Sequence, residues 1–192
     1  MTHILGKKSA VFIGLILAHS AQGAPASKEI RFQWNGSGCA KSESKTPWDP
    51  MVVTLVASKD PLEFQLRRGA GSSLKDIRKN CDLIVSSPEP LQFALDSIDI
   101  KGSGALAADA KVDLAVEASS QGAAGSKRYE LKRSSGDKVF KITKSIEDGD
   151  LFWSACGRAL QVSAKGTVKS GLTVDTRIDG ISYNFQAKSC KK

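Results

Sequence analysis

The chain has 192 residues, 28 of them Lys or Arg against 20 Asp or Glu, with a formal net charge of +8. It carries four cysteines and two histidines, and both histidines, His3 and His19, precede residue 24. With no imidazole beyond that point, the rest of the chain has no Ser-His-Asp or Cys-His relay and lacks the commonest ligand of zinc, copper and non-haem iron.

Residues 1–23 have the three parts of an export signal. Lys7 and Lys8 form the positive end, Ala10 to Ala18 the apolar stretch, and Ser20-Ala21-Gln22-Gly23-Ala24 the small-residue cleavage region. Cleavage after Gly23 or Ala26 is expected, with a released product in the periplasm or outside the cell. The apolar stretch is about half of the ~20 residues that span a bilayer, and no second one follows, so no transmembrane anchor is expected. Losing 23 residues, Lys7 and Lys8 among them, leaves 169 residues and lowers the net charge from +8 to +6. Residues 24–192 are expected to form one domain.

From there on the pattern has period two. Strands are expected at Ile30 to Trp34, Met51 to Ala57, Leu62 to Arg67 and Leu83 to Ser86, with one helical turn at Ser72 to Arg78. Leu91, Phe93 and Leu95 share a face that Ile98 and Ile100 continue after a one-residue slip, which suits a bulge or bend at Ser97. Leu106 to Val116 alternates throughout and reads as one long strand, or two joined by a bulge. Further strands are expected at Arg128 to Arg133, Lys138 to Ile146, Leu151 to Ser154 and Ala159 to Val168. Leu172 to Ile178 and Ile181 to Ala187 flank Asp179-Gly180, a dipeptide suited to a two-residue hairpin turn. The expected architecture is all-β, an antiparallel sandwich of about ten short strands, with a jelly roll as one form of it.

Cys39, Cys81, Cys156 and Cys190 are widely spaced and form no C-x-x-C pair, which argues against zinc or a redox-active dithiol. Four cysteines in an exported chain read as two disulfides with three possible pairings. Cys39–Cys81 with Cys156–Cys190 is favoured, since each bridge then closes a loop within one half of the chain.

The surroundings of these cysteines carry a family likeness. Gly36-Ser37-Gly38-Cys39 after a first strand, Arg78-Lys79-Asn80-Cys81 ahead of a strand, Trp153-Ser154-Ala155-Cys156-Gly157 and a final Cys190 resemble the secreted family catalogued as domain of unknown function 4360. The likeness spans Ile30 to Cys190. It implies a secreted, disulfide-bonded β protein of fungi and bacteria, and implies no activity. Thr46-Pro47-Trp48-Asp49-Pro50 departs from the polar, Gly-rich turn expected there.

The residues offer three candidate chemistries. Arg67, Arg68, Lys75, Arg78 and Lys79 lie between two expected strands and could present cations to an acidic polysaccharide, a phosphate-rich polymer or a membrane surface; the plainer reading is a solvated loop. Trp48, held between prolines, could be a platform for sugar rings or could fold back over the core. Trp34 and Trp153 read as core residues. Glu147-Asp148-Gly149-Asp150 could help to hold Ca²⁺, but lacks the spacing of an EF-hand loop and reads better as a hairpin turn, so no metal or cofactor is expected. Asn35-Gly36-Ser37 matches a glycosylation sequon. No aromatic residues interleave with the cations, so nucleic acid is not an expected partner. The expected function is a non-enzymatic module that binds an acidic or cell-wall polysaccharide. Two alternatives are a carboxylate-dependent glycan hydrolase or lyase drawing on an acid with Tyr129 or Tyr183, and a structural or matrix protein.

Overall fold

The computed structural model describes residues 29–49, 54–107, 110–132, 138–170 and 173–190; residues 1–23, expected to be an export signal, lie outside them. Among the described residues the alternating pattern becomes eleven strands, all paired antiparallel. They are β1 (Glu29–Asn35), β2 (Ser42–Pro47), β3 (Thr54–Lys59), β4 (Phe64–Arg68), β5 (Arg78–Ser86), β6 (Leu91–Leu106), β7 (Lys111–Ser120), β8 (Ser126–Leu131), β9 (Val139–Ser145), β10 (Leu160–Ser170) and β11 (Val174–Ser189). One helical turn, α1 (Leu74–Ile77), precedes β5.

Six strands form the first sheet in the order β2-β1-β5-β10-β7-β8. The second runs β3-β11-β6-β9, with β4 also paired to β11. The sheets pack face to face as a sandwich. Every second side chain of the inner strands enters one shared core, with Ile30, Phe32 and Trp34 of β1 meeting Tyr183 and Phe185 of β11. Trp34 stacks on Tyr183, ring centroids 5.9 Å apart and planes 16° from parallel. An offset pair of this kind adds to the burial of both rings.

The two longest strands, β6 and β11, pair along their whole length, and each has one extra residue. On β6 it is Asp96, one position before the expected slip at Ser97, and it lets both Leu95 and Ile98 face inward. On β11 it is Asp179. The expected hairpin at Asp179-Gly180 is therefore corrected: the chain passes through as a bulge within one strand. The physical reason lies in its neighbours. β4 pairs with Val174–Ile178 and β3 with Ile181–Gln186 on the same edge of β11, and at the junction the Asp179 carbonyl accepts the Leu62 amide at 3.1 Å. Asp-Gly favours a turn locally, but an unbroken β6 on the other edge holds the strand extended.

Leu106 to Val116 is likewise not one strand. β6 ends at Leu106, the Ala110 amide bonds back to the Ala107 carbonyl at 2.9 Å, and β7 begins at Lys111 in the other sheet. Residues 108–109 lie outside the described residues, as do parts of the strands expected at Met51, Arg133 and Leu172. Leu151 to Ser154 is reduced to a single bridge between Ala94 and Trp153. The Asp148–Asp150 segment is a 3₁₀ turn in the crossing from β9 to β10, hence between sheets rather than within a hairpin.

Candidate functional site

Both disulfides pair as favoured. Cys39–Cys81 joins the segment after β1 to β5, and Cys156–Cys190 joins the segment before β10 to the end of β11. The motifs around the first bridge bind each other. Asn80 Oδ1 accepts the Ser37 hydroxyl at 2.9 Å, its carbonyl accepts the Gly38 amide at 2.7 Å, and its own amide donates to Ser37 Oγ at 3.1 Å. Gly36 has φ +143°, and a Cβ there would lie 2.5 Å from the Asn80 carbonyl oxygen, so this close approach requires glycine. Around the second bridge, buried Ser154 accepts the Phe93 amide on its hydroxyl at 3.0 Å, while its own amide donates to the Phe93 carbonyl at 2.8 Å. Both sets of residues are thereby occupied in holding the fold.

The knot at Asn80 fixes the start of β5 and places its cations. Lys75, Arg78 and Lys79 line a groove of about 490 Å³ together with Lys165 and Thr167 of β10, with exposed Leu74 beside them. None of the groove's lining residues is a carboxylate. The Lys79 ammonium donates to the Ser37 carbonyl at 3.3 Å, and Lys165 also pairs with Glu117 of β7. α1 carries its own anion just outside: Asp76 Oδ2 accepts both the amide and the hydroxyl of Ser73 at 2.7 Å. The Ser73 hydroxyl, then its amide, with Lys79 and Arg67 behind them, hold the Asp76 carboxyl below its ordinary value.

Arg67 and Arg68 are not part of this groove. Both are exposed at the end of β4, where Arg67 faces Asp175 at 3.7 Å. Lys165 and Leu74 are members that sequence reasoning missed. Lys165 alternates outward with Gln161 and Ser163, which is legible, but its place beside Asn80 depends on β10 pairing with β5, which is not.

Trp48 is buried, 7% exposed and part of the core cluster, so its indole offers no platform to a sugar ring. It folds back into the core, the plainer of its two readings. Trp153 departs from expectation the other way. It is only half-buried, bridges to Ala94 of β6, and carries the Lys188 ammonium 3.5 Å from its ring centroid.

The acidic turn does not gather a cation site. The Asp150 carboxylate pairs with Lys127 at 2.7 Å, and no cluster of three His, Cys, Asp or Glu suited to a metal occurs among the described residues. Of the tyrosines in the hydrolase reading, Tyr129 lines a groove with Glu130, Glu147 and Asp150, and Tyr183 lies in the core. The Tyr129 hydroxyl donates to the Asp150 carbonyl at 3.1 Å, and Tyr183 is wholly buried. Burial pushes both phenols above their ordinary value. No helix among the described residues is long and apolar enough to cross a membrane.

A family model described as Domain of unknown function (DUF4360) matches residues 30–190. No curated protein matches the chain.

Proposed function

The chain belongs to the DUF4360 family, and we propose that this member is an exported, non-enzymatic module that binds an acidic polysaccharide of a cell envelope. The observation that carries this reading is the groove in which Lys75, Arg78, Lys79 and Lys165 meet with no carboxylate among its lining residues. Clustered cations on a stapled strand attract a polyanion before contact, and the Arg78 guanidinium matches a carboxylate or phosphate with two parallel hydrogen bonds. Export is supported by the pattern of residues 1–23 and by two disulfides, which persist in oxidising compartments.

The test is retention of the oxidised protein on immobilised polyuronate, on a phosphate-bearing envelope polymer and on a neutral glucan across a salt series. Retention on the polyanions at low salt, released as salt rises and weakened in a Lys75→Ala, Arg78→Ala, Lys79→Ala variant, is the expected result. Equal elution of the variant and the native protein would place the contact elsewhere. No retention at low salt on any polymer would end the proposal and favour a structural role.

A further inference from the structure

A second groove, of about 440 Å³, opens on the outer face of the first sheet, where β2, β1 and β5 run side by side. Its size falls within the range of about 300–1,000 Å³ usual for small-molecule sites. Its polar walls come from Gln33 and Asn35 of β1, Lys41 and Glu43 at β2, Asp82 of β5 and Gln161 of β10. Ile84, 37% exposed, supplies the apolar side chain of the lining, while the Trp34 ring lies on the inner face of the same sheet.

This set differs from the basic groove in kind. One ammonium faces two carboxylates, so the lining does not favour a polyanion. Three primary amides offer donors and acceptors together, the two carboxylates are acceptors, and Lys41 is a donor paired with none of the described carboxylates. Neutral sugars present the complementary surface: adjacent hydroxyls that both donate and accept, above an apolar C–H face.

The groove is also held in shape before a ligand arrives. Asp82 accepts the Asn80 amide at 2.8 Å and the Ser163 hydroxyl, and Gln33 Nε2 donates to Glu43 at 3.4 Å across the β1–β2 pair. Asn35 is anchored by its Oδ1, which accepts the Gly36 amide at 2.9 Å, leaving its NH₂ for a ligand. Side chains already oriented lose little freedom on binding.

We propose that this groove is a saccharide site that takes a neutral pyranose unit, its adjacent hydroxyls held by the amides and carboxylates and its C–H face against Ile84. The site stands apart from the reading of the basic groove and does not require it.

The test is calorimetric titration with a neutral β-glucan hexasaccharide and a neutral mannan hexasaccharide at 0.5 M NaCl, a salt level that suppresses polyanion binding. Saturable binding of at least one, weakened tenfold or more by Gln33→Ala or Gln161→Ala and unchanged in the Lys75→Ala, Arg78→Ala, Lys79→Ala variant, is expected. Both glutamines are at the surface, so their loss leaves the core intact, and thermal unfolding of each variant checks this. Absence of binding for both sugars at 10 mM, or native affinity in both glutamine variants, overturns the site. Appearance of shorter oligosaccharides during the titration also overturns it as a pure binding site and turns attention to Glu43 and Asp82 as an acid pair. Because the neutral sugars are read in high salt and the polyanion in low salt, failure of either groove is distinguishable from failure of the other.

Discussion

Replacing Tyr183 with Phe should make the protein more stable. Tyr183 is wholly buried, its ring stacked on Trp34, and its hydroxyl has no hydrogen-bond partner among the described residues. A buried hydroxyl without a partner costs about 1–3 kcal/mol relative to an apolar group of the same shape. The void left by one oxygen returns a few tenths of a kcal/mol, so a net gain of about 1–2 kcal/mol is expected. At ~2–4 °C per kcal/mol for a domain of this size, the midpoint should rise by about 2–8 °C. Thermal unfolding followed by circular dichroism, with urea unfolding to confirm an unchanged slope, measures this. An alkaline titration at 295 nm supplies a second reading, since the chain has only two tyrosines. Both phenols are raised by burial in the folded state. A phenol raised on folding contributes stability that is complete below its unfolded value near 10 and is lost as pH climbs towards the folded value. The native absorbance should rise at higher pH than that of the unfolded chain, with half the final amplitude in the Phe variant. A destabilisation of 1 kcal/mol or more in Tyr183→Phe would falsify the reasoning, because it would show that the hydroxyl has a partner.

The two disulfides give a second contrast. They close loops of similar length, 42 and 34 residues apart, so loop entropy assigns each about 4 kcal/mol. Cys39 and Cys81 are buried whereas Cys156 is exposed, so paired Ala replacement of the first should cost a further ~1–3 kcal/mol for the lost core volume. Denaturant unfolding of both double variants checks the order, and mild reductant should open Cys156–Cys190 first; an equal or reversed order counts against it. Gly36→Ala places a methyl group 2.5 Å from the Asn80 carbonyl at a positive φ and should cost at least about 2 kcal/mol, read by the same unfolding curves. Glu29, Asp113 and Glu117 are held below their ordinary values chiefly by Arg31, Lys169 and Lys165, and Asp76 by the Ser73 hydroxyl. Carboxyls depressed on folding contribute stability that is complete above their unfolded values near 4 and is lost as pH falls through the folded ones. The melting temperature should therefore decline below pH 4, and added salt should flatten the part owed to the lysine and arginine pairs. A midpoint constant from pH 5 to pH 2 contradicts this.

How much of this was legible depends on what each residue is in contact with. Strands that bury one face, such as β1 and the second half of β5, announce themselves by alternation, and the slip in β6 showed as a break in phase; Arg78–Asp82, expected as a turn and loop, extend β5 because they pair with β10. β2 gave no such signal. Its Ser-Glu-Ser-Lys-Thr-Pro sequence buries nothing, and it is a strand because its backbone pairs with β1. Asp179-Gly180 misled because local turn preference was outweighed by partners on both edges. Trp48 left two readings open because the same proline-flanked indole can join a core or face solvent, and only the packing decides for the core. Of the five expected cations, the three on α1 and β5 meet in one groove and the two on β4 do not, since they end on the other sheet.

One strand connects the parts that hold the fold with the parts that could hold a ligand. Along β5, Arg78, Asn80, Asp82 and Ile84 point outward while Cys81, Leu83 and Val85 point into the core. Arg78 lies in the basic groove, Asn80 lines it and binds the Ser37 segment, and Asp82 and Ile84 line the neutral groove. The seven residues from Arg78 to Ile84 span roughly 20 Å at the usual rise of a strand. The family motif that ends in Cys81 is thus structural on its inner face and sets the register of both grooves on its outer one. An exported polymer with both charged and neutral sugar units would meet both surfaces along a single β-strand. Displacing β5 by opening Cys39–Cys81 should weaken polyanion and neutral-sugar binding together, whereas opening Cys156–Cys190, at the far end of β11, should leave both in place.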